Sequence, residues 1–219
     1  MMTRLTHFVP RHLPLANLIP PRAVKFSLRS FWLSSLWIGS VLTGQALAIP
    51  GQTVDEAAAW MQANQTLQPG IGETLLVRKS DTPARRFTFE AQTTSPGLAT
   101  LENTRGIIRT EQITLFDRIN GVSKTRLENS LGGIYGAEIL QDYQQAAVVY
   151  QYPTPALEDA AVNQDAPLLD FMQGEVRQGD RFGYWVETVQ TRSGTAYSGQ
   201  ISVFLLDDLD KLVQELQTR

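Results

Sequence analysis

Cysteine is absent from this 219-residue chain, and histidine occurs only at His7 and His12. Everything after position 48 therefore lacks the side chains needed for Ser-His-Asp and Cys-His catalysis. The same part of the chain lacks the usual ligands of zinc, haem iron and iron–sulfur clusters, and it cannot form a disulfide. We expect no cofactor, and carboxylates are the only plausible catalytic groups that remain.

Acidic residues are also missing from the first 48 positions, which contain five basic residues. An apolar run from Phe31 to Leu42 follows the basic region and leads to Ala46-Leu47-Ala48. A basic region, a short apolar core and a small-x-small triplet are typical of a secretory signal peptide. We expect residues 1–48 to be cleaved, with Ala46 and Ala48 recognised by the signal peptidase, and residues 49–219 to form a single domain.

A membrane anchor is the alternative interpretation of the apolar run. Extended to Leu47, the run has about 17 residues, the lower limit of a membrane-spanning helix, and it then includes several serines and Gln45. No cysteine follows it to carry a lipid. A start at Val24 would give a signal peptide of ordinary length. The pattern therefore favours cleavage, with no stable membrane anchor afterwards.

The charge balance narrows the choice of partners. Residues 49–219 hold 14 Lys and Arg against 22 Asp and Glu, a net charge of −8. Such an acidic domain is a poor candidate for binding nucleic acid or an anionic membrane. We expect an exported protein of the periplasm or thylakoid lumen that binds a protein partner and no nucleic acid.

Residue periodicity predicts an α+β fold, an antiparallel sheet of about seven to eight strands with an N-terminal, a middle and a C-terminal helix. Thr53 and Glu56 have the spacing of a capping box at the first helix. The middle helix is expected over 123–131, with Gly132-Gly133 as its end. The strands are expected at residues 73–79, 85–91, 106–118, 135–141, 146–152, 171–178, 182–190 and 196–206.

Two further expectations concern packing. The strand over 146–152 is apolar on both faces, which is typical of a central strand. The C-terminal helix is expected to be capped by Asp207 or Asp208 and to dock an apolar stripe on one face of the preceding strand. That stripe is Leu209, Leu212, Val213 and Leu216, and the expected docking face is Ile201, Val203 and Leu205.

Charged residues provide the candidate binding sites. Arginines gather in the first strands, where bidentate side chains could bind carboxylates of a partner, or could simply protect sheet edges from aggregation. Acids gather in a proline-containing loop over 153–170. The candidate binding residues are Arg85, Arg86, Arg109, Glu158, Asp159 and Asp165, and Arg78 and Arg105 extend the basic group.

We expect a non-enzymatic binding or accessory domain, and two alternatives remain open. Paired carboxylates can hydrolyse glycosidic bonds, so Glu138, Glu175 and Glu187 on predicted strands could act on a cell-wall sugar, although strand alternation already accounts for them. A curved sheet could instead carry an apolar ligand. No metal site is expected, because the Asp207 cluster begins a helix and lacks the alternating ligands of a calcium loop.

Overall fold

A computed structural model describes residues 50–98, 106–154, 171–191 and 193–218. The elements are α1 (Val54–Ala63), β1 (Leu76–Thr82), β2 (Arg85–Gln92), β3 (Thr110–Asp117), α2 (Lys124–Tyr135), α3 (Ala137–Gln145), β4 (Ala147–Tyr152), β5 (Met172–Gln178), β6 (Gly183–Gln190), β7 (Ala196–Phe204) and, after a 3-10 turn (Leu206–Asp208), α4 (Leu209–Gln217). None of the helices in these ranges has the length and apolarity that crossing a membrane requires.

The strands form one antiparallel sheet in the order β1-β2-β3-β7-β6-β5-β4. The sheet and its helices confirm the predicted α+β class. Strand β7 pairs with both β3 and β6, and it therefore joins β1–β3 to β4–β6. The expectation of a central strand at 146–152 is wrong. Among the described strands β4 pairs only with β5, and Val148 and Val149 are 48% and 41% exposed.

Helices α1, α2 and α3 cover one face of the sheet, which we call the first face. The capping box at the start of α1 is present, with Thr53 and Glu56 each accepting a hydrogen bond from the other's backbone amide. Trp60 of α1 stacks on Tyr135 of α2 at 6.0 Å between ring centroids. The sheet contributes to this core Phe89, Ala91, Ile113, Leu115, Tyr184, Val186, Ile201 and Val203.

Helix α4 packs on the opposite, second face, and the expected docking surface is therefore wrong. Its buried residues Leu209, Leu212 and Leu216 share a core with Val176, Trp185 and Phe204. Successive strand residues point to opposite faces. Because α1–α3 already cover Ile201 and Val203, the apolar surface left for α4 is that of their neighbour Phe204.

The predicted strand over 135–141 is also wrong, because this segment is helical. Helix α2 continues through Gly132 and Gly133 to Tyr135, and α3 starts after Gly136, whose φ is +84°. A mid-helix glycine costs about 1 kcal/mol. Burial of the α2 side chains offsets that cost, and a Cβ at Gly132 would lie 3.0 Å from the Leu140 side chain. Glycine thus allows α2 and α3 to approach closely.

The first strands differ from their predicted bounds. Strand β1 begins at Leu76 and continues to Thr82, whereas a strand over 73–79 was expected. The turn lies at residues 83 and 84. The Ser80 hydroxyl lies within hydrogen-bond distance of the carbonyl oxygens on both sides of it, those of Thr82 at 3.0 Å and Arg85 at 3.1 Å. Strand β3 is shorter than expected and begins at Thr110.

Candidate functional site

Among the described residues, the basic side chains without a carboxylate partner collect at the hairpin end of β1 and β2. They are Arg78 and Lys79 on β1, Arg86 on β2, and Arg118 directly after β3, whose amide donates to Ala84. Within the described ranges, the other basic side chains all lie within ion-pair distance of a carboxylate. These paired side chains are Arg85, Arg109, Lys124, Arg126, Arg177, Arg181 and Lys211.

The strand register places Arg78 and Arg86 on the second face of the sheet. Arg78 lies opposite Thr88, two residues from Arg86, so the two arginines are diagonal neighbours. Such positions are about 7–8 Å apart, within reach of long side chains. The Arg86 guanidinium lies 4.8 Å from the centroid of the Phe116 ring. A guanidinium over an aromatic ring keeps N–H donors at its edge, where they can bind an oxyanion.

A cavity of about 330 Å³ lies beside these two arginines. On the second face its lining side chains include two arginines, several hydroxyls and the Phe116 ring, and no carboxylate. The lining residues are Arg78, Lys79, Ser80, Arg86, Phe87, Thr88, Thr114, Phe116 and Ser198. This composition suits an anionic group, because it offers several hydrogen-bond donors and no like charge.

The structure places the candidate binding residues in different environments. Arg86 lies in the cavity, whereas Arg85 points to the first face and pairs with Asp81 at 3.4 Å. Arg109 makes a bidentate contact with Asp208, from Nε to Oδ2 at 3.0 Å and from Nη2 to Oδ1 at 2.6 Å. Their side chains are 20% and 4% exposed. Arg105, Glu158, Asp159, Asp165 and the loop over 155–170 lie outside the described residues.

The expectation that Asp208 caps α4 is wrong. Asp208 occupies the position before α4 but makes no side-chain capping bond there. Its carboxylate instead faces Arg109, the residue directly before β3.

Glu175 is buried in a charged network on the first face. Lys124 Nζ lies 2.7 Å from its Oε2, and Arg177 Nε lies 2.5 Å from its Oε1. Burial by itself would raise the pKa of Glu175, but the hydrogen bonds from Lys124 and Arg177 outweigh burial and lower it. Glu175 therefore remains a carboxylate and cannot act as a general acid near neutral pH.

Glu187 lies on the other face and cannot form a catalytic pair with Glu175. In the register, Glu175 is opposite Val186, so Glu187 points the other way, into the space where α4 packs. Its carboxylate accepts a 2.5 Å hydrogen bond from the Tyr152 hydroxyl, which accepts in turn from Trp185 Nε1 at 2.9 Å. Glu138, expected on a strand, is an exposed residue of α3.

Glu111 is the carboxyl group whose environment sequence reasoning missed. It is completely buried in the first-face core, and neither of its oxygens has a hydrogen-bond partner. Burial raises the pKa of Glu111 to about 7, and the nearby Tyr135 hydroxyl offsets this only in part, since the two groups do not reach hydrogen-bond geometry. A signal was available, because Glu111 occupies the inward-facing register of Ile113. No described cavity gives a substrate access to it.

Two further cavities, of about 380 and 420 Å³, adjoin the start of α2. They share Lys124, Gln173 and Thr188. Both are lined largely by polar side chains, which does not favour an apolar ligand. The described residues contain no cluster of three acids that could hold a metal ion.

Asp142 has a structural role that can be tested. It lies in α3, where its Oδ1 accepts from the Asp180 amide at 3.0 Å and its Oδ2 accepts from the Tyr184 hydroxyl at 2.6 Å. We expect Asp142→Ala to lower the free energy of unfolding by about 1–3 kcal/mol, because the buried Tyr184 hydroxyl and the Asp180 amide lose their acceptor. Urea denaturation measures this. Glu138→Ala is the control, since its exposed pair with Arg181 should contribute little. Equal effects would show that Asp142 does not hold the β5–β6 turn.

No protein-family model, curated protein or solved structure shows a significant match to this chain. The functional conclusion therefore depends on the sequence pattern and on the geometry of the sites described above.

Proposed function

We propose that this protein is an exported, non-enzymatic binding domain that supports a protein complex in the periplasm or thylakoid lumen. The observation that carries the proposal is the group of basic side chains without carboxylate partners beside an anion-compatible cavity. Charged groups of this kind steer and orient a protein partner. Export is proposed from the basic, apolar and Ala46-Leu47-Ala48 segments of residues 1–48.

The carboxylate arrangement favours binding over hydrolysis. Glycoside hydrolysis by two carboxylates needs both groups in one cleft, flanking the scissile bond, and one of them with a raised pKa. Glu175 and Glu187 point to opposite faces, and the pKa of Glu175 is lowered. Glu111 has a raised pKa but lies within a closed core. None of these arrangements supplies an acid and a base to one substrate.

The proposal predicts that the native protein migrates in a complex. Size-exclusion chromatography of the exported fraction should place it well above the mass of one chain, and N-terminal sequencing should begin at Ile49. Deleting the gene should reduce the amount of that complex, because an accessory domain stabilises its assembly by mass action.

Two results would contradict this function. Migration of all the exported protein as a single chain would remove the basis for an accessory role. The protein could also hydrolyse a cell-wall glycan and lose that activity on Glu187→Gln or Glu175→Gln. That result would favour the hydrolase alternative over a binding function. Leu98→Ala is the matched control for the activity assay, since Leu98 is an exposed apolar residue distant in sequence from both acids.

A further inference from the structure

We propose that the outer edge of β1, together with Arg78, Lys79 and Arg86, binds an extended acidic segment of the partner protein. The segment would join the sheet as an additional strand next to β1. This inference rests on the proposed function and specifies which surface the partner contacts and which chemistry that surface recognises.

The backbone of β1 is available for strand addition. Among the described strands it pairs only with β2, and it forms one end of the strand order. Its residues 78–81 are all exposed. An edge strand presents a row of backbone donors and acceptors, and an extended peptide can pair with them. Hydrogen bonds to the backbone would supply affinity without selecting a sequence, so the side chains must supply the selectivity.

The side chains along this edge select for negative charge. Arg78 and Lys79 are successive strand residues, so their cations lie on opposite faces of the sheet. A segment paired with β1 would place two successive acidic residues against them, one on each face. Arg86 adds a second guanidinium on the face of Arg78, and its stacking on Phe116 orders it before binding.

The same arrangement disfavours other occupants. A second copy of the chain paired through β1 would bring Arg78 and Lys79 close to the same cations of its partner, and like charges across strands are unfavourable. A single phosphate or sulfate would reach the cations on one face only. Edge protection alone explains charges on β1, but it does not explain why Arg86 on β2 also lacks a carboxylate partner while neighbouring Arg85 has one.

A peptide titration of the purified protein tests the proposal. The probe is a fluorescein-labelled Thr-Val-Glu-Asp-Val-Thr peptide, and its matched control has Gln and Asn in place of the acids. A third peptide carries proline at both valine positions, which removes backbone donors. We expect saturable anisotropy with the acidic peptide only, and an affinity that falls as salt is raised. We expect Arg78→Ala with Arg86→Ala to weaken binding at least tenfold, whereas Arg181→Ala, at an exposed weak pair, should leave it unchanged.

Several results would overturn the inference. Equal binding of the neutral peptide would remove the charge selectivity, and equal binding of the proline peptide would remove strand addition. Displacement of the acidic peptide by millimolar inorganic phosphate at fixed ionic strength would identify a small-anion site instead. Undiminished binding by the Arg78 and Arg86 double variant would place the contact elsewhere. Circular dichroism of each variant establishes that it is folded.

Failure of this inference and failure of the proposed function give different results. If the native complex persists when the double variant replaces the wild-type protein in the cell, the function stands and the docking surface is wrong. If no complex exists in the exported fraction, the proposed function is wrong whatever the peptide titration shows.

Discussion

Lowering the pH from 8 to 5 should stabilise this protein by about 2–3 kcal/mol through Glu111 alone. Burial raises the pKa of this carboxyl from its ordinary value of 4.5 to about 7 in the folded protein. The folded state therefore retains a proton that the unfolded state has already released. This contribution to stability is fully present below pH 4.5, is lost as the pH rises through 7, and stays lost above that.

Glu111→Gln should remove this pH dependence, because the amide carries no charge into the core. At pH 8 the variant should be more stable than the wild type, although the amide leaves polar atoms in the same apolar surroundings. Urea denaturation at several pH values between 5 and 8 measures both effects. This window avoids the carboxylates of Asp117 and Glu175, whose pKa values are lowered and whose contributions are lost only at more acidic pH.

Glu90→Gln is the matched control, since Glu90 lies on β2 near Glu111 but on the open second face. It should leave the slope of stability against pH unchanged. Equal slopes for the wild type and Glu111→Gln would show that Glu111 titrates normally in the folded protein, and therefore that water or a hydrogen-bond donor reaches its carboxyl.

Leu212→Ala should lower the free energy of unfolding by about 2–5 kcal/mol. Leu212 is completely buried in the second-face core, with Val176, Trp185 and Phe204. The segment after β2 also contacts this part of α4, because Lys211 donates to the carbonyls of Pro96 and Leu98. The sheet and the segment after β2 therefore both hold α4 in place. The neighbouring side chains cannot fully fill the cavity that alanine would leave at position 212.

Two comparisons sharpen this prediction. Gln214→Ala lies off the buried stripe of α4 and should change stability by less than about 0.5 kcal/mol. A double-mutant cycle of Leu212→Ala with Phe204→Leu should show coupling, whereas a cycle with Val203→Ala should be additive, because Val203 belongs to the opposite core. Coupling of Leu212 to Val203 but not to Phe204 would show that α4 packs on the first face, as the sequence predicted.

The sequence by itself determined the features that depend on neighbouring residues. The capping box of Thr53 and Glu56, the alternating strand β2 and the β5–β7 meander were all predicted close to their observed bounds. Each is specified by side chains within one element or one turn, and the local spacing that produces it is visible in the chain. The α+β class follows from these elements.

Tertiary packing decided the elements whose local pattern was ambiguous. Residues 135–141 have a short apolar pattern that suits a strand or a helix. Contact between α2 and α3 at Gly132 selects the helix. The apolar strand β4 lies at an edge, because position in a sheet depends on how distant strands pair. The face that α4 covers likewise depended on which side of β7 the earlier helices had already filled.

The charged groups show the same division. Their identities, the gathering of arginine in the first strands and the opposite faces of Arg85 and Arg86 are properties of the sequence. Only the assembled sheet determines that Arg85 meets Asp81, that Arg109 meets Asp208, and that Arg86 stacks on Phe116 without a carboxylate partner. The reason is physical: an ion pair requires two groups within a few ångströms, and that distance is set by strand register and face across residues far apart in the chain.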